Sequence, residues 1–147
     1  MRDLLFRGKK VKPSVFDKTD WVYGSLIDSG NHEQVAIYPW YDGASTMSVR
    51  QLVYTRMEGV KPETIGQFTG VTDKNGNKVF EHDIVRFDRG TFVVVFSDCR
   101  MGFCFDGLHG RGCVPGFTMS HWEHLEVIGN IHDDKELLAE KGKTNEL

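Results

Sequence analysis

Cys99, Cys104, Cys113, His121 and His124 crowd one stretch of the chain. Thiolate and imidazole are the ligands zinc prefers, and a thiol beside an imidazole is also the pairing of nucleophile and general base. Structural zinc sites place about two to four residues between paired cysteines and about three to five between paired histidines. Here four residues separate Cys99 from Cys104, at the edge of the cysteine range, but only two separate His121 from His124, short of the histidine range. The spacings do not make the set, and cysteine is commonly a small buried hydrophobe. A cysteine enzyme would use Cys113 or Cys104 with His109, His121 or His124 as base, yet no motif fixes their geometry.

A second oxygen-rich stretch is DKNGNKVFEHD, residues 73–83, where Asp73, Asn75 and Asn77 alternate as in a calcium loop. Counting from Asp73 as the first loop position puts Lys78 where that loop requires glycine and Ile84 where it requires the closing glutamate. The cage is incomplete. Asn75-Gly76 between apolar runs instead predicts a hairpin with a type I′ turn, in which both central residues take positive φ. No phosphate-binding glycine motif follows a strand, and GLHGRGC lies in the wrong context for one. Arg86, Arg89, Arg100 and Arg111 interleave with Phe87, Phe92, Phe103 and Phe105, a pattern in which arginines follow phosphate and rings stack on bases. The competing reading is stronger: alternate phenylalanines on strands point into a core and leave the arginines solvated.

The elements that must position these residues are short strands. The chain has 147 residues, 39% of them hydrophobic and 12% aromatic, enough for one domain with a real core. A net charge of −3 supplies no global attraction to nucleic acid. No signal peptide is evident at the start, and no apolar run approaches the roughly 20 residues that span a bilayer. Three clustered cysteines argue against a disulfide framework, so free thiols in a cytoplasmic protein are expected. WVYGSLI (21–27) and QVAIYPW (34–40) read as a hairpin around Asp28–Asn31, and MRDLLFRGKKV contributes an earlier strand with a loop near Lys12, Pro13 and Ser14. Between Tyr41 and Lys61 the residues Val49, Leu52, Val53 and Met57 fit a helix or a strand equally. Gly59 and Pro62 then punctuate the backbone. Beyond them ETIGQFTG, KVFEHDIVRFD, TFVVVFSD and HLEVIGNI form closely spaced strands, with a glycine-rich loop after Phe105. Asp133 or Asp134 is placed to cap a short helix running into KELLAEK.

Three blocks in order, LLFRGK, PETIGQFTGVTDKNGNKVFEHDIVRF and LEVIGNIHDDKELL, resemble the YopX family of small phage and prophage proteins of unknown function. One departure stands out: His82 occupies the position before Asp83 where the family often has glycine, which puts a tight turn there in question. The resemblance implies a mainly β protein encoded on mobile DNA, able to self-associate, with no catalytic residues or cofactor to carry over. It makes Gly66, Gly70, Asn75, Gly76, Asp83 and Gly129 structural signature positions, and Ile65, Phe68, Phe80, Ile84, Val85, Val127 and Ile128 core positions.

The expected fold is mainly β, a small barrel or curled antiparallel sheets with a short C-terminal helix. Residues 1–147 form a single domain, divisible into a 1–60 N-terminal β region and a 61–147 C-terminal small barrel carrying the helix. The expected function is non-enzymatic protein binding, to a host or phage partner, with self-association. Aromatic residues suit interfaces, so Trp40, Tyr41 and Trp122, with His109 and Arg111 on the glycine-rich loop, form the candidate interaction surface. A nucleic-acid-binding small β-barrel is the alternative, and a metal-dependent or cysteine enzyme the third reading.

Overall fold

The computed structural model describes residues 3–40, 57–87, 90–107 and 124–139. The strands are β1 (Phe6–Lys9), β2 (Trp21–Asp28), β3 (Val35–Pro39), β4 (Glu58–Val60), β5 (Gly66–Thr72), β6 (Lys78–Phe80), β7 (Asp83–Phe87), β8 (Gly90–Ser97), β9 (Gly102–Gly107) and β10 (Glu126–Asn130). A 3-10 turn at Pro62–Thr64 precedes β5, and among the described residues a helix, α1 (Lys135–Ala139), follows β10. The expected class holds: antiparallel sheets dominate and a short helix comes last.

Two compact units are distinguished, Met1–Gln67 and Phe68–Leu147. The first has the strand order β4-β3-β2-β1, joined by the first residues of β5, with Arg7 facing Gly66 and Phe6 facing Gln67. The β2–β3 hairpin forms as the pattern predicts, pairing Asp28 with Val35 and Gly24 with Pro39. Its loop is longer than a two-residue turn. Asp28 accepts the Gly30 amide at 2.8 Å and the His32 amide at 3.3 Å, and its carboxylate also meets the His32 ring, which sits on a residue with φ of +60°.

This sheet curls until its ends meet. Beyond β1 the chain bridges to β4, with Lys10 opposite Val60, the Val11 amide donating to the Gly59 carbonyl at 2.9 Å, and the Lys61 amide donating to the Lys9 carbonyl at 2.8 Å. Inside lie Val22, Val35, Ile37 and Val60, with Phe6, Leu26 and Ile65 packed against them. Alternation explains the choice: Val35 and Ile37 are two apart on β3 and share its inner face. Curling brings backbones close, and at Gly24 an added Cβ would lie 1.8 Å from the Tyr38 carbonyl oxygen.

In the second unit the later residues of β5 pair with β6, and a four-stranded sheet runs β10-β7-β8-β9. Between Phe68↔Phe80 and Thr72↔Lys78 the β5 strand carries two residues more than β6, and Gly70, with φ of +93°, absorbs that bulge. The core is Val79, Val85, Val94, Phe105 and Leu125, ringed by Val71, Phe87, Phe92, Phe103 and Val127. The phenylalanines that could have stacked on bases are therefore occupied. Phe105 is buried, Phe87, Phe92 and Phe103 pack on the core, and Arg86 and Arg100 stay exposed.

Candidate functional site

Asp73 is buried, and its carboxylate organises the turn that carries it. Oδ1 accepts the amides of Asn75 at 2.9 Å and Asn77 at 2.8 Å, while Oδ2 accepts the Val127 amide at 3.0 Å and the Asn77 side-chain amide at 3.2 Å. Burial pushes this carboxyl up, but the donated bonds from Val127, Asn77 and Asn75 outweigh it and hold the group below the ordinary carboxylate value. Both oxygens face N–H donors. A cation would meet the same donors, so the alternating oxygens serve a turn and not a calcium cage.

The turn also differs from the expected type I′. The Gly76 amide donates to the Asp73 carbonyl at 3.0 Å, the Asp73 amide donates to the Asn77 carbonyl at 2.8 Å, and Gly76 takes φ of +82° whereas Asn75 is not among the residues with positive φ. This is a three-residue loop, Lys74-Asn75-Gly76, ending in one left-handed glycine. The extra residue follows from Asp73, whose Oδ1 draws in two amides that a two-residue turn would not present together. The Lys74 amide donates to the Leu125 carbonyl at 3.0 Å, so the same loop is stitched to the approach of β10.

His82 completes a tight turn without glycine. Its φ is +72°, its amide donates to the Val94 carbonyl at 2.8 Å and its carbonyl accepts the Ile131 amide at 3.0 Å. Those bonds hold a conformation that L-residues seldom adopt. Next to it Asp83, 1% exposed, accepts the Phe80 amide at 2.7 Å. The His82 ring stands edge-on to that of His132, with Nε2 of His132 3.3 Å from Nδ1 of His82. His132 is placed by Asn130, whose Oδ1 accepts the amides of His132 and Asp133 at 3.0 Å each. Asp134 was a candidate helix cap; its Oδ2 accepts the Asn130 amide at 2.9 Å, close over Gly129, where a Cβ would sit 2.5 Å from that oxygen.

Among the described residues no three His, Cys, Asp or Glu side chains converge as metal ligands. Cys99 is free and exposed. Cys104 corrects the expectation of free thiols: it is buried and disulfide-bonded, its partner sulfur lying outside the described residues. A bonded sulfur supplies no thiolate, which removes Cys104 as a nucleophile while that bond stands. Cys113, His109 and His121 lie outside the described residues, and His124 opens the approach to β10.

Of the candidate interaction surface, Tyr41, His109, Arg111 and Trp122 lie outside the described residues. Trp40 is 48% exposed, its indole N–H donating to Ser25 Oγ at 2.8 Å and its amide to the Tyr23 carbonyl at 3.1 Å. An interface ring is usually held this way, with one edge anchored and one face open. The signature residues fall in structural places. Gly66 is buried opposite Arg7, Gly70 and Gly76 sit at a bulge and a turn, Asp83 bonds the β6–β7 turn, and Gly129 lies under Asp134.

Sequence reading missed a more exposed feature. The loop between β1 and β2 holds Val15 and Phe16 93% and 91% exposed. It is tightly built: the Ser14 amide donates to Asp17 Oδ2 at 2.8 Å, the Asp17 amide donates to the Ser14 carbonyl at 3.0 Å, and Lys10 pairs with Asp17 at 3.0 Å. The Ser14 amide and the Lys10 ammonium together hold the Asp17 carboxyl below its ordinary value. A signal was present in the sequence, since an apolar pair set between Pro13-Ser14 and Asp17 has turn-forming residues on both sides. On the same unit lies a concave groove of about 480 Å³, lined by Ile27, Val35, Met57, Val60 and Pro62 together with polar residues that include Asp28 and Glu33.

Fold and site define a small antiparallel β protein whose polar clusters brace turns and whose prominent open features are apolar. A family model described as YopX protein matches residues 15–139, and the chain belongs to the YopX family. No curated protein matches it. Among the described residues no helix is long and apolar enough to cross a membrane.

Proposed function

We propose that this chain is a non-enzymatic protein-binding module, encoded on a phage or prophage, that associates with copies of itself. The observation that carries the reading is the ordered β1–β2 loop. Exposed apolar residues scattered singly are ordinary, but two adjacent ones held in solvent by a bonded turn have had their ordering cost met before any partner arrives. Half-exposed Trp40, anchored through Ser25, adds an aromatic of the kind that interfaces favour. Sedimentation velocity over a hundredfold concentration range tests the reading; masses above the 16.7 kDa subunit support it, and a constant monomer overturns self-association.

Binding to nucleic acid is the weaker reading, because the phenylalanines between the arginines pack on the second core. A fluorescent single strand at low salt decides it: salt-dependent binding would favour this alternative over the protein-binding one. Residence in the host cytoplasm belongs to the same proposal, and the Cys104 disulfide bears on it because such bonds are rare in reducing compartments. Alkylating the protein at lysis without reductant tests this. Three labelled thiols support the cytoplasm, whereas one labelled thiol points to an oxidising compartment.

A further inference from the structure

We propose that the Val15-Phe16 tip of one copy docks in the apolar groove of a second copy, an inference that rests on the self-association reading and gives it a contact. The two surfaces match in chemistry. The tip is a pair of apolar side chains more than nine-tenths exposed, and the groove wall is Ile27, Val35, Met57, Val60 and Pro62, with Met57 43% exposed. Its volume, about 480 Å³, is of the size that accepts a few large side chains.

Charge selects the same pairing. Lys12 and Lys18 flank the tip, both exposed, while Lys10 is engaged by Asp17. Asp28 and Glu33 line the groove. The Asp28 carboxylate is engaged by the Gly30 and His32 amides and the His32 ring, which leaves Glu33, exposed and among the described residues bonded only to the Asn31 side chain, as the acid facing an incoming tip. Seating the tip therefore brings its lysines towards the Glu33 carboxylate, an arrangement that steers encounter and sets orientation.

The docking is between copies. Within one copy the bonds through Ser14, Asp17 and Lys10 pin the loop in a form that leaves Val15 and Phe16 in solvent. The tip's exposure shows that it does not fill its own groove. A preformed knob and a preformed hole on the same unit make a self-complementary contact that a second copy satisfies without rearrangement.

Phe16→Glu destroys the knob and spares the groove; Met57→Glu does the reverse, and the exposure of both sites keeps the fold intact, which circular dichroism checks. Each variant alone should associate about tenfold more weakly or worse. Mixed in equal amounts, they should recover a species of twice the subunit mass, because the Met57→Glu chain keeps a knob and the Phe16→Glu chain keeps a hole. Lys12→Glu with Lys18→Glu should weaken wild-type association, and added salt should weaken it too.

If the wild type assembles and both Phe16→Glu and Met57→Glu assemble equally well, this contact is wrong while self-association stands. If the mixture of weakened variants stays monomeric, knob-in-groove docking is overturned. If the wild type is itself monomeric at every concentration, the underlying reading fails and this contact falls with it.

Discussion

Asp73 shows how a residue chosen for chemistry can be spent on structure. Its folded carboxyl titrates below the ordinary value, so the unfolded chain takes up the proton more readily. The stability it adds is complete above the ordinary aspartate range, near pH 4, and is lost as pH falls through the lower folded value. Asp73→Asn should cost about 2–4 kcal/mol at neutral pH in urea unfolding, because an amide nitrogen replaces an acceptor facing buried N–H groups, and should flatten the acid limb below pH about 4. Gly24→Ala should cost at least about 3 kcal/mol, since its Cβ would meet the Tyr38 carbonyl and backbone cannot step aside. At His82 the backbone, held at φ of +72°, decides. His82→Val should be less stable than His82→Gly by about 1–3 kcal/mol, and equal stabilities would show that the left-handed conformation carries no strain.

Elements were legible where their pattern was local. Runs of branched and aromatic residues bounded by turn signals marked β2, β3, β7 and β8, and the core positions Phe68, Phe80, Ile84 and Val85 are buried. Turn chemistry was legible only in part. Asn75-Gly76 favours type I′ by itself, but the acceptor two residues earlier recruits Asn75 and Asn77 and lengthens the loop. The tight turn at His82 could not be read from residue type, because the bonds to Val94 and Ile131 that enforce it come from distant strands. Val15 and Phe16 were legible only as part of a turn, through Pro13-Ser14 and Asp17 on either side; apolar type signals burial, and only the completed β1–β2 loop reveals exposure. That loop depends on one carboxylate, so Asp17→Asn should loosen it and weaken self-association severalfold with little effect on unfolding temperature. Hydrogen exchange at the Ser14 and Asp17 amides reads the loosening directly.

At the scale of the molecule, the YopX family assignment and the mainly β architecture agree with what three separated blocks of sequence suggested. The candidate surface was harder to read, because Trp40 is half exposed while Tyr41, His109, Arg111 and Trp122 fall outside the described residues. What the described residues offer is a pinned apolar tip and an apolar groove on one unit, with opposite charges around them. Association through such a contact depends on concentration and on a single exposed ring. Light scattering of wild type and Phe16→Glu, side by side and at matched concentration, measures this most directly. The account predicts a mass above 16.7 kDa for the wild type that shifts towards the monomer in Phe16→Glu, with unchanged circular dichroism. A wild type fixed at 16.7 kDa across the concentration range would contradict it.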